Sequence, residues 1–439
     1  MDLNRVSSSI AGSGDGLSFP HFNGHDNRIA MTTLYLMTIV LVLLLLAILS
    51  LPLSYWLRLP YTSTLVIVGF VGSEIVVLLG GDTGVRAGSF HHLIFFVFLP
   101  ILVFEAAFRI NIQLLQENLL PILFLATVIM LASALLTGLG VYYGIAHPTG
   151  FPWIAACITG ALLAATDPVA VIAQLKTLRV PKRLSILIEG ESLFNDATAI
   201  VLFGLFVSIA LAPTAEADIP GMVLRFLVVF FGGAAVGVAV GWVAALLIKA
   251  ISDINTRIGI TLLAAYGAFL IAEAGLHVSG IMATLVSGIM LARHCSRTLD
   301  SPSRQTLDVL WSVSGHLANA FVFLLMGITI TVAMFQERWL AMLIAIGAVF
   351  VARLLSVYGG LVVIKPLLKQ PLDTRYPPVI VWAGLRGSVA LALAFSIPLE
   401  LSYWWTIQSI AFGAVLFSIF VQAPTTAWLL ARLGLAAGK

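Results

Sequence analysis

Charge and cysteine are scarce in this sequence. Only 10% of its 439 residues are Asp, Glu, Lys or Arg, whereas a soluble domain carries about 25%. Its two cysteines, Cys157 and Cys295, lie far apart, which excludes a disulfide framework and a CxxC metal site. No basic patch interleaved with aromatic residues is present, so we expect no nucleic-acid partner.

Hydrophobic residues are abundant instead. They make up 60% of the chain, and its mean hydropathy is +1.07. A water-soluble fold of this size has too small an interior to bury so much apolar surface, so the bilayer must act as the solvent. Alternating strand patterns of the barrel kind are absent, and the sequence therefore predicts an all-α polytopic membrane protein.

Runs of about 20 mostly apolar residues, the length of a transmembrane helix, occur about thirteen times along the chain. Most Lys and Arg residues fall in the loops on one side of these runs. This asymmetry predicts a cell (plasma or inner) membrane protein with its N-terminus outside and its C-terminus in the cytoplasm. The predicted spans lie near 33–51, 61–80, 90–109, 117–145, 151–175, 184–211, 221–249, 256–275, 278–295, 309–335, 339–364, 376–398 and 404–431.

Two of these spans are interrupted near the middle of the membrane. Span 5 contains AATDPVAV, in which Pro168 lacks a backbone donor and clashes with the preceding helical turn. Span 12 contains GLRGS, in which Gly384 and Gly387 flank Arg386. Paired broken helices at matching positions of two halves are typical of the binding site of a secondary transporter.

The positions of the two breaks predict the domain organisation. Two inverted six-helix repeats joined by a linker helix place spans 5 and 12 at corresponding positions. We therefore expect a flexible N-terminal tail at 1–30 and a transmembrane domain at 31–439. Within that domain the repeats cover 31–212 and 254–432, and the linker helix covers 221–249.

Several ionisable residues fall inside the predicted spans. A charge at the bilayer centre costs roughly 2.5–3.5 kcal/mol on insertion scales, so such residues are functional candidates. The acids outnumber the bases, and an acid without a basic partner must bind protons or cations. The acids are Glu105, Asp167, Glu191 and Asp196, and the bases are Arg353 and Arg386.

The stretch ESLFND in span 6 presents two adjacent polar faces. Glu191 and Asn195 are four residues apart and share one helical face, and Ser192 with Asp196 share the next. The first face suits an anchoring partner such as a buried arginine. The second face offers a hydroxyl and a carboxylate to a cavity.

The break in span 5 supplies further oxygen ligands. Thr166 and Asp167 lie at the interruption, where a broken helix leaves backbone carbonyls without partners. Carbonyls, carboxylates and a serine hydroxyl together make an all-oxygen site, which hard cations prefer. The sequence therefore predicts a cation or proton site between spans 5 and 6.

These motifs resemble those of the monovalent cation:proton antiporters of the NhaP/NHE type. TDPVAV, ESLFNDATAIVLF, VARLLSV and GLRGSVALALA carry the resemblance, which extends over residues 33 to 432. It implies that Asp196 binds a cation and a proton in turn and that Asp167 shares the site. Ser192 and the carbonyl of Thr166 then complete the Na⁺ site, with Glu105 close by.

The resemblance also implies which residues stabilise that site. Arg353 is expected to hold Glu191 and Asn195, and Arg386 is expected to shape the broken helix of span 12. An Asn immediately before Asp196 resembles the electroneutral branch of the family, whose members usually form homodimers.

We therefore expect a secondary active transporter, not an enzyme, that needs no cofactor. It is predicted to exchange Na⁺ or Li⁺ for H⁺ because cation and proton compete for Asp196 and Asp167. K⁺/H⁺ exchange stays open, since the sequence does not define the ionic radius that fits. A cation channel lacks support because no four-fold filter loops are present, and in an intramembrane hydrolase Asn195 and the buried arginines have no role.

Overall fold

The computed structural model describes residues 24–79, 93–145, 151–167, 169–211, 219–368 and 370–436. The regular structure in these ranges is helical and contains no strand, which confirms the predicted all-α fold. Residues 1–23 of the predicted tail and Pro168 lie outside the described residues. Residues 24–30, also assigned to the tail, belong to the first helix.

The chain forms helices of very different length on either side of the predicted linker. Before residue 212 the helices are α1 (Gly24–Leu57), α2 (Tyr61–Leu78), α3 (Leu99–Arg109), α4 (Ile112–Glu117), α5 (Leu119–Phe124), α6 (Met130–Gly144), α7 (Trp153–Ala164), α8 (Val169–Thr177) and α9 (Lys182–Leu211). From residue 219 on they are α10 (Ile219–Ala250), α11 (Ile254–Leu270), α12 (Gly280–Thr298), α13 (Ser301–Thr329), α14 (Val332–Ile364), α15 (Tyr376–Trp382), α16 (Ser388–Phe395), α17 (Trp404–Phe417) and α18 (Ala423–Arg432).

Short irregular turns continue several of these helices. A 3₁₀ turn, Lys365–Leu367, follows α14. The π-helical turns are Ile94–Phe98 before α3, Leu125–Ile129 between α5 and α6, Ile271–Gly275 after α11 and Ser418–Gln422 between α17 and α18.

Within the described ranges, nine helical segments are long and apolar enough to cross a membrane. They correspond to predicted spans 1, 2, 4, 6, 7, 8, 10, 11 and 13. Spans 5 and 12 are each divided into two short helices, α3 of span 3 is short, and α12 of span 9 carries Arg293 and Arg297 near its end. The total of thirteen spans therefore stays a prediction.

Side-chain caps explain where several helices begin. A side-chain oxygen of Asn111, Asp253 or Ser279 accepts the N–H of the residue three positions later, at 3.0, 2.8 and 3.1 Å. Each bond satisfies one of the backbone donors that the first helical turn leaves without a partner. These caps define the starts of α4, α11 and α12.

The chain divides into two compact units, one ending at Leu45 and the other beginning at Leu46. The first unit contains the N-terminal part of α1. The helices of the second unit pack in two groups. Group A consists of α5–α9 and α14–α18, including the breaks in spans 5 and 12, and group B consists of α2, α3, α10, α11, α12 and α13.

The two interrupted spans meet at their breaks, inside group A. Residues 165–168, of which 165–167 are described, separate α7 from α8, and residues 383–387 separate α15 from α16. The N–H of Asp167 donates to the carbonyl of Leu385 at 2.8 Å, and Nε of Arg386 donates to the carbonyl of Leu163 at 2.8 Å. Backbone groups released by one break are thus satisfied by the other.

Candidate functional site

Asp167 is held at the start of α16. Its Oδ2 accepts hydrogen bonds from the backbone N–H and the hydroxyl of Ser388, at 3.1 and 2.9 Å. A Cβ at Gly387 would overlap the Asp167 side chain, so this position accommodates glycine alone without rearrangement. The first turn of a helix attracts negative charge because its N–H groups are unpaired, so the break in span 12 supplies the partner for the acid of span 5.

The ESLFND stretch of α9 is fastened to the break in span 5. The hydroxyl of Ser192 donates a short hydrogen bond to the Thr166 carbonyl. Nδ2 of Asn195 donates to the Ala164 carbonyl at 3.0 Å and to Oγ1 of Thr166 at 3.2 Å. The carbonyls of Ala164 and Thr166 and the Thr166 hydroxyl are therefore already engaged by α9.

A buried ion pair connects α9 to α14. Nη2 of Arg353 lies 2.8 Å from Oε2 of Glu191, and the two side chains are only 2% and 3% exposed. The same Nη2 donates to the Ile380 carbonyl at 3.4 Å. Asn195 joins this pair through Oε1 of Glu191, also at 3.4 Å. The structure thus brings together the three side chains that the sequence assigned to an anchoring cluster.

Arg386 is buried among backbone carbonyls and hydroxyls. Besides its bond to Leu163, its Nη1 donates to the carbonyl of Gly384, and its backbone N–H donates to Oγ of Ser418 at 3.0 Å. Ser418 in turn donates to Oε1 of Gln422 at 2.8 Å. These bonds tie the end of α7, the break in span 12 and the π-helical turn after α17 into one polar network.

A cavity of about 400 Å³ lies beside this network, between group A and group B. Asp167, Ser192 and Asp196 line it from group A, whereas α3 and α13 of group B form the opposite wall. Oδ1 of Asp196 is buried and has no hydrogen-bond partner among the described residues. The complete lining comprises Leu102, Val103, Glu105, Ala106, Arg109, Asp167, Ile172, Lys176, Glu189, Ser192, Leu193, Asp196, Ser312, Gly315, His316, Asn319, Ser388 and Val389.

The two remaining predicted ligands occupy different places. Glu105 lines the cavity, but its Oε1 pairs with Nη1 of Arg109 at 2.5 Å. Thr166 lies behind the cavity lining, where both of its oxygens accept hydrogen bonds from α9. Pro168 falls outside the described residues. Of the predicted ligands, Glu105, Asp167, Ser192 and Asp196 therefore line the cavity, and Thr166 does not.

Sequence reasoning missed several polar residues of the cavity, and three of them, Ser388, Glu189 and Asn319, bear on the site. Ser388 donates a hydrogen bond to Asp167. It could have been recognised from its position directly after the GLRG break, where a new helix must begin. Glu189 was visible as an acid in span 6, two residues before Glu191. Asn319 lies on α13, which contributes no acid to the cavity, and its Oδ1 is buried without a hydrogen-bond partner among the described residues.

The arrangement has the chemistry of a cation site that also binds protons. A buried carboxylate oxygen without a donor is costly unless a proton or a cation occupies it. Carboxylate and hydroxyl oxygens suit small hard cations. A proton and a cation cannot occupy the same oxygens together, so the site can exchange one for the other.

Comparison with known proteins identifies similar chains. A family model described as the transmembrane sodium/hydrogen exchanger matches residues 39–432. The chain is 35% identical over 383 residues to the low-affinity Na⁺/H⁺ antiporter NhaS1 of Synechocystis sp., covering 86% of this chain and 70% of that protein. It is also 35% identical over 387 residues to the Na⁺/H⁺ antiporter ApNhaP of Aphanothece halophytica, covering 87% and 71%.

A solved structure shares the fold. The sodium proton antiporter MjNhaP1 of Methanocaldococcus jannaschii superposes with a TM-score of 0.76 at 21% sequence identity. The likeness covers 92% of this chain and 100% of the other. At this identity the agreement concerns the arrangement of the helices alone.

Proposed function

The chain belongs to the sodium/hydrogen exchanger family, and we propose that it is a secondary active transporter that exchanges Na⁺, or Li⁺, for H⁺ across a membrane. The observation that carries the proposal is the buried Oδ1 of Asp196, which lacks a donor and shares a cavity with Asp167. The relatives reported above are named Na⁺/H⁺ antiporters. Nothing in these names supports the K⁺/H⁺ alternative.

Exchange follows from competition at one site. When Asp196 is ionised, its oxygens and those of Asp167 and Ser192 bind a cation, with the Thr166 carbonyl behind Ser192. When Asp196 is protonated, the cation leaves. If the loaded site faces each side of the membrane in turn, antiport results without any further coupling.

Other side chains position this site. Glu191, Asn195 and Arg353 hold α9, and Arg386 supports the broken span 12. For Pro168, which lies outside the described residues, the interruption of span 5 stays a prediction from the sequence. Glu105 is close to the site but is engaged by Arg109. We therefore expect substitution of Glu105 to weaken transport less than substitution of Asp196.

The decisive test is exchange in proteoliposomes with an imposed pH gradient. Asp196→Asn should abolish both ²²Na⁺ uptake and Na⁺-dependent collapse of the gradient, because an amide cannot be protonated and deprotonated. Asp308→Asn, which alters an exposed acid of α13, should leave both intact. Sustained Na⁺/H⁺ exchange by Asp196→Asn contradicts the proposal, and competition with Li⁺ and K⁺ defines the cation selectivity.

The stoichiometry, orientation and assembly extend the same proposal. The Asn-Asp order in α9 supports electroneutral exchange, so the rate should not follow a voltage clamped with valinomycin and K⁺. We further propose a homodimer in a cell membrane, with the N-terminus outside and the C-terminus in the cytoplasm. Labelling of single cysteines from either side and the mass of the detergent-solubilised protein test these points.

A further inference from the structure

Glu189 is an acid of the cavity that the ion pairs and hydrogen bonds described above do not use. It lines the cavity and is half-buried. Among the described residues it has no hydrogen-bond or ion-pair partner, whereas Glu105 in the same cavity is paired with Arg109. A carboxylate in such a place has no evident role in holding helices together.

The position of Glu189 relates it to the proposed transport site. Glu189, Ser192 and Asp196 follow one another at spacings of three and four residues, so they lie on one face of α9, and all three line the cavity. Seven residues of helix separate Glu189 from Asp196, a rise of about 10 Å. Glu189 is therefore too far from Asp196 to share a bound ion with it.

The charges around the two acids differ. Lys176, Glu105 and Arg109 act electrostatically on Glu189, whereas Asp196 is influenced by Asp167 and Glu191. Arg109 is 42% exposed and Lys176 is also exposed, so they mark the end of the cavity that reaches the surface. Glu189 thus lies between that end and the site at Asp196.

The balance of charge in the cavity favours cations. Glu105 and Arg109 neutralise each other, which leaves Glu189, Asp167 and Asp196 opposed by Lys176. A cleft with walls of low dielectric constant focuses the field of such charges and raises the local concentration of counter-ions by about 10- to 1000-fold. Glu189 strengthens this attraction and Lys176 weakens it.

We propose that Glu189 captures monovalent cations: its carboxylate draws a cation into the cavity from the side to which the cavity opens and passes it to the site at Asp196. The proposal rests on the proposed function, because it assigns a step on the access path of the same exchange. It predicts that Glu189 affects the Michaelis constant for Na⁺ more than the maximal rate, and does so from one side of the membrane.

The expected size follows from Coulomb's law. One charge at about 10 Å, with an effective dielectric constant of about 20 to 80, changes the occupancy of a cation site by about two- to fifteenfold. Glu189→Gln, which keeps the shape and removes the charge, should raise the KM for Na⁺ by this factor. Lys176→Gln should lower the KM, and the double variant should lie near wild type. Glu117→Gln, at an exposed acid of α4 outside the cavity, is the matched control.

The experiment measures ²²Na⁺ exchange by oriented proteoliposomes, with Na⁺ supplied from either side. The Glu189→Gln effect should appear from the cavity side alone. It should also shrink when choline chloride is raised, because the screening length falls from about 10 Å at 0.1 M salt to about 3 Å at 1 M. An unchanged KM, a change equal from both sides, or a change that salt does not reduce overturns the proposal.

A second readout separates this proposal from the proposed function. Equilibrium binding of ²²Na⁺ to the detergent-solubilised wild type and to Glu189→Gln does not require exchange. If wild type shows no Na⁺/H⁺ exchange, the proposed function is refuted, and the binding comparison still decides the capture role. Weaker binding by Glu189→Gln than by Glu117→Gln supports it, and equal binding refutes it.

Discussion

Single substitutions in the buried ion pair of Glu191 and Arg353 should lower the free energy of unfolding more than any other substitution proposed for this protein. The single substitutions Glu191→Leu and Arg353→Met each leave the other charge buried without a partner. Breaking a buried pair in this way costs about 3–5 kcal/mol of unfolding free energy, and the 2.8 Å separation and the 2–3% exposure of both side chains place this pair in that class. Two independent losses would together reach about 6–10 kcal/mol.

The double substitution should cost far less than the sum. It removes both charges and leaves two apolar side chains of similar length, an exchange that is often neutral or stabilising. What remains lost is the contact of Asn195 with Glu191 and that of Arg353 with Ile380, both at 3.4 Å. Each such bond contributes about 0.5–1.5 kcal/mol net, so we expect about 1–3 kcal/mol for the double variant.

Reversible unfolding in mixed detergent micelles measures the free energy of unfolding of the wild type, the two single variants and the double variant, which together form a double-mutant cycle. The exposed pair of Arg304 and Asp308, 4.0 Å apart with side chains 52% and 43% exposed, is the control. Its neutralisation should cost less than about 1 kcal/mol, with little coupling. If the two substitutions at Glu191 and Arg353 add without coupling, the pair does not hold α9 to α14, and the reasoning is wrong.

Three further predictions concern the breaks and a surface loop. Ser388→Ala removes the hydroxyl that donates to Asp167 at 2.9 Å; a hydrogen bond to a charged group is worth about 1.5–3 kcal/mol, so the KM for Na⁺ should rise at least tenfold in the liposome assay. Gly387→Ala introduces a Cβ where the Asp167 side chain lies, and exchange should be lost more completely than in Ser388→Ala. Arg375 lowers the pKa of Asp373 to about 2. Arg375→Gln should therefore lower the stability of the fold above about pH 4, where an unpaired carboxylate is ionised. The difference in stability from wild type should vanish as the pH falls through 2.

Each of these predictions has a matched control. Ser396→Ala removes a hydroxyl that bonds to the helix's own backbone and should leave the KM unchanged. Gly347 has open space around the position of a Cβ, so Gly347→Ala should be tolerated or mildly stabilising in α14. The argument for Ser388 is wrong if the KM rises equally in both serine variants. Full activity of Gly387→Ala contradicts the argument for the glycine. A difference in stability between Arg375→Gln and wild type that persists at pH 2 contradicts the argument for Arg375.

The helical fold was predictable because apolar length alone decides which segments enter a membrane. The breaks in spans 5 and 12 were predictable because proline and glycine punctuate helices locally. The spacing within ESLFND also indicated two faces, and Ser192 and Asp196 do line the cavity while Glu191 meets Arg353. These inferences depend on neighbours within a few residues of each other.

Contacts between distant segments could not be predicted in this way. Ser388 and Asp167 are 221 residues apart, and the local sequence around either residue does not indicate that the other is its partner. Asn319 was not predicted because the site residues were sought around acids within the spans, and α13 contributes no acid to the cavity. The pairing of Glu105 with Arg109 is local and was missed, although a spacing of four residues on one helix makes such a pair visible in the sequence.

The distribution of strong polar contacts constrains how the site can alternate between the two sides. The bonds described for Glu191, Arg353, Arg386 and Asp167 connect elements of group A with one another. The ion pair on the opposite wall lies within α3 of group B. If group A moves against group B, these charged contacts stay intact, whereas a movement of α9 against α14 within group A must break the pair of Glu191 and Arg353 at about 3–5 kcal/mol. A disulfide engineered between α9 and α14 should therefore permit exchange, and one that joins α9 to α3 across the cavity should stop it; the opposite result would place the movement inside group A.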